Sequence, residues 1–448
     1  MAFERAPGPA SVFGVRNFAR LARSGLSFLT GLAREHGDVV RVPLLGKPYF
    51  LVSHPEDIEQ VFLQQHKRVI KDFYTRALSR ALGEGLINSE GETWRTHRKL
   101  ASFAFTPRRI ASYTDTMVAV GQRIIDRWQP DRVIDIHAEM SRLTMEVVGQ
   151  VLFGADVDDK VRDVGRAMET INHFFAHSLE MFTDAPDWLP TPTMRRFHAS
   201  LAIIDDIIYG LISQRRQTEH LDAERPRNLL DALLLAQADS GIALTDTQLR
   251  DQCVTLFLAG HETTSLALVH ALYFLSQYPA VEERFHRELT EVLDGRPPGP
   301  ADAKRLVYTD RVIKEAMRLF PPVWGIGREV LEEISLSGYR IPRGSQIISA
   351  QWVVHRDPRW FPEPEVFDPD RFAPERVKER PRLAYFPFGA GPRICIGNHF
   401  ATTEAIVLLA LIGQRFRPRY QLARKPDFKP AVTLLPRDGG WPMRLLPR

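Results

Sequence analysis

The chain has 448 residues, 44% of them hydrophobic and 25% charged, which excludes an intrinsically disordered or collagen-like polypeptide. Its 59 Lys and Arg against 55 Asp and Glu leave a formal charge of +4, too small a basic excess to predict nucleic-acid binding. The two cysteines, Cys253 and Cys395, exclude a disulfide framework and a four-cysteine zinc site. One reactive thiolate and one buried thiol is the simpler expectation.

The first residues are polar and broken by Pro7 and Pro9, so no signal peptide or membrane anchor is expected, and residues 1–10 are expected to be flexible. Periodicity then predicts a helix over 18–36 and strands over 38–44 and 49–53, joined across Leu45-Gly46-Lys47. Pro55 opens a helix over 56–64. From Gln65 to Pro300 the pattern is mostly helical, with an irregular interval at 71–90 and a Pro-rich turn at 184–192. Thr245-x-x-Gln248 reads as a capping box, opening a helix that should run to Tyr278 and stop at Pro279. That is ~32 residues and ~48 Å at ~1.5 Å per residue. Its apolar stretch 254–275 is about long enough for a bilayer. His261, Glu262, Thr263, Thr264 and His270 would be expensive there, so a buried helix of a soluble protein is expected. A further helix should run from Pro279 to Asp294-Gly295. Beyond Pro321 come short strands at 334–336, 339–341 and 346–350, an irregular Pro-, Phe- and Arg-rich region at 356–391, and a helix at 396–416. The tail, 432–446, reads as a hairpin about Asp438-Gly439-Gly440. Together these predict a mainly α (α+β) fold with small sheets at the chain ends, folded as a single domain over 1–448.

The sharpest chemical feature is Phe388-Gly-Ala-Gly391-Pro-Arg393-Ile-Cys395-Ile-Gly397. Glycines permit turn conformations and close approach of a flat ligand. A cysteine at a helix N-terminus has its pKa lowered by the helix dipole, which presents a thiolate as a metal ligand. Phe388 would shield the sulfur and Arg393 would place a cation nearby. The plainer alternative is a buried Cys in a Gly-rich turn. A zinc reading from Cys395 and His399 lacks a second pair of ligands. A dinucleotide reading lacks the third glycine and a βαβ unit.

Three other patterns carry chemistry. Glu315 and Arg318 stand at i, i+3 on one helix face, upstream of Phe367-Asp-Pro-Asp-Arg371-Phe372. The long helix holds Ala259-Gly260-His261-Glu262-Thr263-Thr264. A glycine inside a helix costs ~1 kcal/mol; here the small pair would let a flat cofactor approach, and a Thr hydroxyl can bond its own i−4 carbonyl. Trp94 and Arg98 stand at i, i+4, followed by a basic run.

With these motifs in this order, the chain resembles the cytochrome P-450 superfamily of haem-thiolate monooxygenases, soluble and bacterial in type, from about Phe13 to the tail. The resemblance implies the P-450 fold, with the long helix crossing over the haem. It implies haem b (iron protoporphyrin IX) with Cys395 as the axial iron ligand, whose thiolate favours O–O cleavage, and O2 as co-substrate. Thr263 would bond the oxygen being activated and relay protons that Glu262 feeds from water, with Thr264 supporting the helix. Trp94, Arg98, Arg328 and Arg393 would bond the haem propionates, His355 being an alternative donor. Glu315, Arg318 and Arg371 would form a buried network under the cysteine loop.

The implied reaction inserts one oxygen atom from O2 into an apolar substrate, by hydroxylation or epoxidation, in the cytoplasm. No flavin or iron–sulfur segment is left over, so a separate redox partner is expected. An acidic ferredoxin or flavodoxin with its reductase would dock on Arg95, Lys99, Arg108 and Arg109. The pocket is expected from 71–90, 172–188, Phe257 and Ala259. Phe174, Phe175, Met181 and Phe182 favour a fatty acid, terpenoid or steroid-like substrate. Two other functions fit parts of the pattern. A haem-thiolate peroxygenase or isomerase needs no acid–alcohol pair, and a non-enzymatic haem sensor needs no proton relay.

Overall fold

The computed structural model describes the chain except residues 1–4, 12, 155–162, 168–169, 172–173, 176–190, 218–227, 241–243 and 438–439. It sorts into two compact units, residues 1–77 with 314–395 and residues 78–313 with 396–448.

The first unit is built on a five-stranded sheet ordered Val39–Leu44, Lys47–Val52, Gln346–Ser349, Ile326–Val330, Val69–Lys71. Leu45 (φ 47) and Gly46 (φ 81) close its first hairpin, a left-handed pair that matches the twist of the strands it joins. Lys47–Val52 then pairs in parallel with Gln346–Ser349, with Tyr49 opposite Gln346. Ile326–Val330 was not foreseen, because Gly327, Arg328 and Glu329 interrupt any apolar alternation; it pairs Arg328 with Lys71 on one side and Ile347 on the other. The strands Ile334–Leu336 and Tyr339–Ile341 form the expected small hairpin. The first helix is Val15–His36, ended by Gly37 at φ 93. The helix expected over 56–64 is α only over Pro55–Glu59. It continues as a π turn, Gln60–Gln64, in which Gln65 N bonds Gln60 O at 2.7 Å.

The second unit is helical, with the long helix Asp246–Gln277 at its centre. The capping box forms: Gln248 N donates to Thr245 Oγ1 at 3.2 Å and Thr245 N to Gln248 Oε1 at 3.0 Å. The helix packs against Ile136–Phe153, Pro192–Arg216 and Asn398–Arg415. It is buried on nearly all sides, which accounts for its unbroken apolar composition. Among the described residues no helix is long and apolar enough to cross a membrane. The next helix, Pro279–Leu293, ends at Asp294 in the left-handed region (φ 48).

The tail departs from expectation. Pro442–Pro447 pairs with Phe416–Tyr420 and Val133–Asp135, while Leu434–Pro436 pairs back on Phe428–Pro430. Burial decides this pairing. Met443 and Leu445 are both fully buried, and a strand continuing from the preceding helix gives them a core that a local hairpin would not. Asp438 and Gly439, and most of the expected turn at 184–192, lie outside the described residues.

Candidate active site

In the first unit, Cys395 closes its own loop: its N–H donates to Phe388 O at 2.9 Å, and Ile394 N donates to Gly391 O at 3.1 Å. Gly389 (φ 71) and Gly391 (φ 68) supply left-handed turns. A Cβ on Gly391 would lie 2.0 Å from the Phe62 carbonyl oxygen of the π turn, so only glycine fits there. Cys395 is exposed. The following helix, Asn398–Arg415, begins two residues later than expected. Cys253, by contrast, is buried, and burial pushes its thiol up to about 12, so it stays protonated.

The loop rests on a buried polar frame. Arg318 donates from Nε to Glu315 Oε2 at 2.7 Å and from Nη2 to Glu315 Oε1 at 2.8 Å. Its remaining donors reach the carbonyls of His355 (2.9 Å), Pro364 (2.7 Å) and Val366 (3.1 Å). Arg371 Nε lies 3.4 Å from Glu315 Oε1, and Asp368 N donates to the same oxygen at 2.9 Å. His355 Nε2 accepts from Phe386 N at 3.0 Å, just before the cysteine loop. Burial holds the imidazole well below its usual range, so it stays neutral and can accept. The fully buried ring thus supports the backbone that leads into the cysteine loop, a role the alternative reading of His355 as a propionate donor did not include. Arg328 is buried, its guanidinium 4.7 Å from the Phe62 ring centroid and Nη1 donating to Gly327 O at 2.7 Å. Arg393 is half-buried beside the loop tip.

In the second unit, Trp94 and Arg98 are half-buried on the helix Gly91–Ser102, at the spacing the sequence predicts. On the long helix, Thr263 Oγ1 donates to Ala259 O at 2.7 Å and Thr264 Oγ1 to Gly260 O at 3.1 Å. Thr144 Oγ1 donates to His261 O at 2.8 Å. Three successive carbonyls thus each take a hydroxyl in addition to their place in the helix ladder. Ala259 is exposed and Thr263 half-buried, one turn apart, whereas Glu262 sits on a buried face. Gly260 corrects the expectation that it admits a flat cofactor. Its missing Cβ would lie 3.1 Å from Val148 Cγ2, so it serves close packing with the helix Ile136–Phe153, and Ala259 alone of the pair is open.

Of the expected pocket residues, Met181, Phe182 and most of 172–188 lie outside the described residues. Phe174 stacks on Phe197 at 4.2 Å with Arg80 over its ring at 5.2 Å. Phe174, Phe175 and Phe257 are all buried in one apolar cluster, which makes them core. On the basic face Arg95, Lys99 and Arg108 are exposed. Arg95 is shared with Glu92 at 2.6 Å, and Arg109 lies over the Phe103 ring at 4.6 Å.

The donor set can be tested against a metal. Among the described residues no three His, Cys, Asp or Glu side chains gather to hold an ion. A metal at Cys395 must then bring further ligands of its own, as an iron porphyrin does, and within the first unit the exposed thiol with cations at 328 and 393 fits such a group and its carboxylates.

Comparison with known proteins identifies the family. The family model for cytochrome P450 matches residues 6–441. Cyclooctatin synthase of Streptomyces melanosporofaciens is 37% identical, over 95% of this chain and 92% of its own. Cyclooctat-9-en-7-ol 5-monooxygenase of the same organism is 36% identical, over 92% and 89%. Pentalenene oxygenase of Streptomyces avermitilis is 33% identical, over 92% and 90%. The structure of retinoic acid bound cyanobacterial CYP120A1 superposes with a TM-score of 0.88 at 25% identity, covering 100% of both chains. These matches define the fold and the class of protein: the chain belongs to the cytochrome P450 family of haem enzymes. It is a haem-dependent monooxygenase that incorporates oxygen from O2 into apolar substrates and draws electrons from a redox partner.

Proposed function

We propose that this chain hydroxylates or epoxidises a terpenoid alkene or alcohol, using haem b held by the Cys395 thiolate. When bound, the haem supplies the oxygen-activating chemistry. The chain's own residues supply the rest. Cys395 donates electron density through its sulfur, and the Phe388 carbonyl and the Gly391 turn fix where that sulfur points. Arg328 and Arg393 of the first unit, and on the family resemblance Arg98 and the Trp94 indole N–H of the second, would neutralise the haem propionates. Thr263 holds its proton on Ala259 O and can rotate it outward from the open stripe of the long helix. Glu262, on the family resemblance, would feed that proton from water. Exposed Arg95, Lys99 and Arg108 present a basic face to an acidic ferredoxin or flavodoxin.

The observation that carries the substrate class is the likeness, over nine-tenths of the chain, to relatives named for cyclooctatin, cyclooctat-9-en-7-ol and pentalenene. The test is a titration of the holoprotein with pentalenene and related alkenes, a medium-chain fatty acid and a steroid, read in the haem absorption spectrum. Terpenoids should give the substrate-type shift at the lowest concentration. Saturation by the fatty acid or steroid alone would overturn the assignment. In the same preparation Thr263→Ala should divert electrons from product to hydrogen peroxide by about tenfold or more, the scale of one proton-transfer group.

A further inference from the structure

The net charge of the chain is concentrated in one stretch. Residues 5–54 hold seven Lys and Arg against two acids, Glu35 and Asp38, and the rest of the chain is almost neutral. Asp38 is already taken up by Arg359, whose Nη1 donates to its Oδ2 at 2.9 Å. Three of the cations, Arg16, Arg20 and Arg23, stand at i, i+4 and i+7 on the helix Val15–His36, ahead of the break in its backbone at Ser24, so they share one face. All three are exposed, and among the described residues none forms an ion pair; Arg20 lies over the Phe28 ring at 4.7 Å. Beside these cations the chain exposes apolar side chains: Phe13 is 78% exposed, Val15 58% and Leu45 45%. Gly46 N donates to Phe13 O at 2.8 Å, so the tip of the first hairpin and the start of the helix stand side by side. Local preference does not put them there. Phe13 (φ 48) and Leu45 (φ 47) are both left-handed, which is unfavourable for a bulky side chain, and a two-residue hairpin turn favours Asn, Asp or Gly where Leu45 stands. Strained backbone thus holds two large apolar groups in water, where burial gives them nothing.

We propose that this face is a docking surface for an anionic lipid bilayer: Phe13, Val15 and Leu45 enter the boundary between headgroups and acyl chains, and Arg16, Arg20 and Arg23 bond the lipid phosphates. Binding in the plane of that boundary requires a basic helical stripe flanked by apolar side chains, and each cation adds to the attraction of an anionic leaflet. An acidic protein would answer the arginines and leave the exposure of Phe13 and Leu45 without a role. The attachment is peripheral, since no helix among the described residues is long and apolar enough to cross a membrane. It brings the enzyme to the phase in which apolar substrates accumulate.

The test is sedimentation of the holoprotein with vesicles of phosphatidylcholine, alone or mixed equally with phosphatidylglycerol, with no substrate present. The parent should partition onto the mixed vesicles at low salt and lose most of that binding at about 0.5 M salt. Arg16→Gln, Arg20→Gln and Arg23→Gln should each weaken partition about fivefold, and Phe13→Ser about tenfold, the scale of one apolar side chain. Leu45→Asn should weaken it as well while the melting temperature holds or rises, because Asn suits the turn; a purely structural leucine would lose stability instead. The reduced carbon-monoxide spectrum of every variant should match that of the parent. Equal binding to both kinds of vesicle overturns the proposal. So does parental partition in Phe13→Ser and Leu45→Asn, which would reduce the binding to the general attraction of a basic surface. If the arginine variants bind vesicles as the parent does but bind an acidic ferredoxin more weakly, the face belongs to a protein partner and the proposal fails. If Phe13→Ser does not fold, Leu45→Asn and the arginine variants decide.

Discussion

Arg318 commits its donors inside the protein, to the two Glu315 oxygens and to the carbonyls of His355, Pro364 and Val366. Both members of the pair are fully buried, so removing the cation would strand a carboxylate without solvent, a cost of about 3–5 kcal/mol. Arg318→Met should therefore lower the unfolding free energy of the holoprotein, read from a urea titration, by that much and speed haem loss. Glu315→Gln with Arg318→Met should recover part of the loss, since no unpaired charge remains. Arg371→Ala should cost less, because its Nε stands 3.4 Å from Glu315 rather than in a short bidentate pair. Equal losses for Arg318→Met and Arg371→Ala would contradict this ranking. At this scale the sequence was informative where spacing carries chemistry: Glu315 with Arg318, the back-bond of Thr263, the paired Trp94 and Arg98. It was silent on the role of His355, whose partner, Phe386 N, is reached only through the fold.

Elements were legible where their ends are set locally. Thr245 with Gln248 placed one end of the long helix and Pro279 the other, and the observed bounds Asp246–Gln277 follow. The π turn at Gln60–Gln64 was not legible, since its residues are ordinary helix formers and its purpose lies in what its backbone touches. That purpose gives a prediction. Gly391 and Gly344 both have positive φ, 68 and 80, but nothing lies within 4 Å of a Cβ on Gly344, whereas one on Gly391 would meet Phe62 O at 2.0 Å. Gly344→Ala should cost only the conformational term, about 1–3 kcal/mol. Gly391→Ala must also move a backbone carbonyl, which cannot swing aside as a side chain can. Its melting temperature should fall further, with weaker haem retention. Equal melting temperatures for the two would show that the close approach is not felt. The tail failed as a local reading for the opposite reason: its turn chemistry was sound, but Met443 and Leu445 could be buried only against a strand remote in sequence.

At the scale of the whole chain, what no local pattern can announce is the joining of distant segments. The five-stranded sheet takes strands from 39–71 and 326–349, and only the family resemblance anticipated such a fold. A second long-range tie fixes the pH response. Arg419, on the strand after the last helix, donates to Glu282 Oε1 at 2.6 Å and Oε2 at 2.7 Å, with His286 Nε2 3.7 Å from the same carboxylate. Burial would raise the Glu282 carboxyl, but the His286 ring and the Arg419 guanidinium override it and hold it at about 2. An unfolded glutamate titrates near ~4.3. The folded value is the lower one, so the unfolded chain takes up the proton first. The stabilisation from this group is complete above ~4.3 and is lost as the pH falls toward the folded value. Thermal unfolding of the parent should therefore steepen below about pH 5, while Glu282→Gln, with no proton to gain there, should follow a shallower acid limb. If the two curves run parallel through that range, the tie between Glu282 and Arg419 does not govern acid stability, and other carboxylates held by arginine, Asp302 with Arg296 first among them, become the groups to substitute.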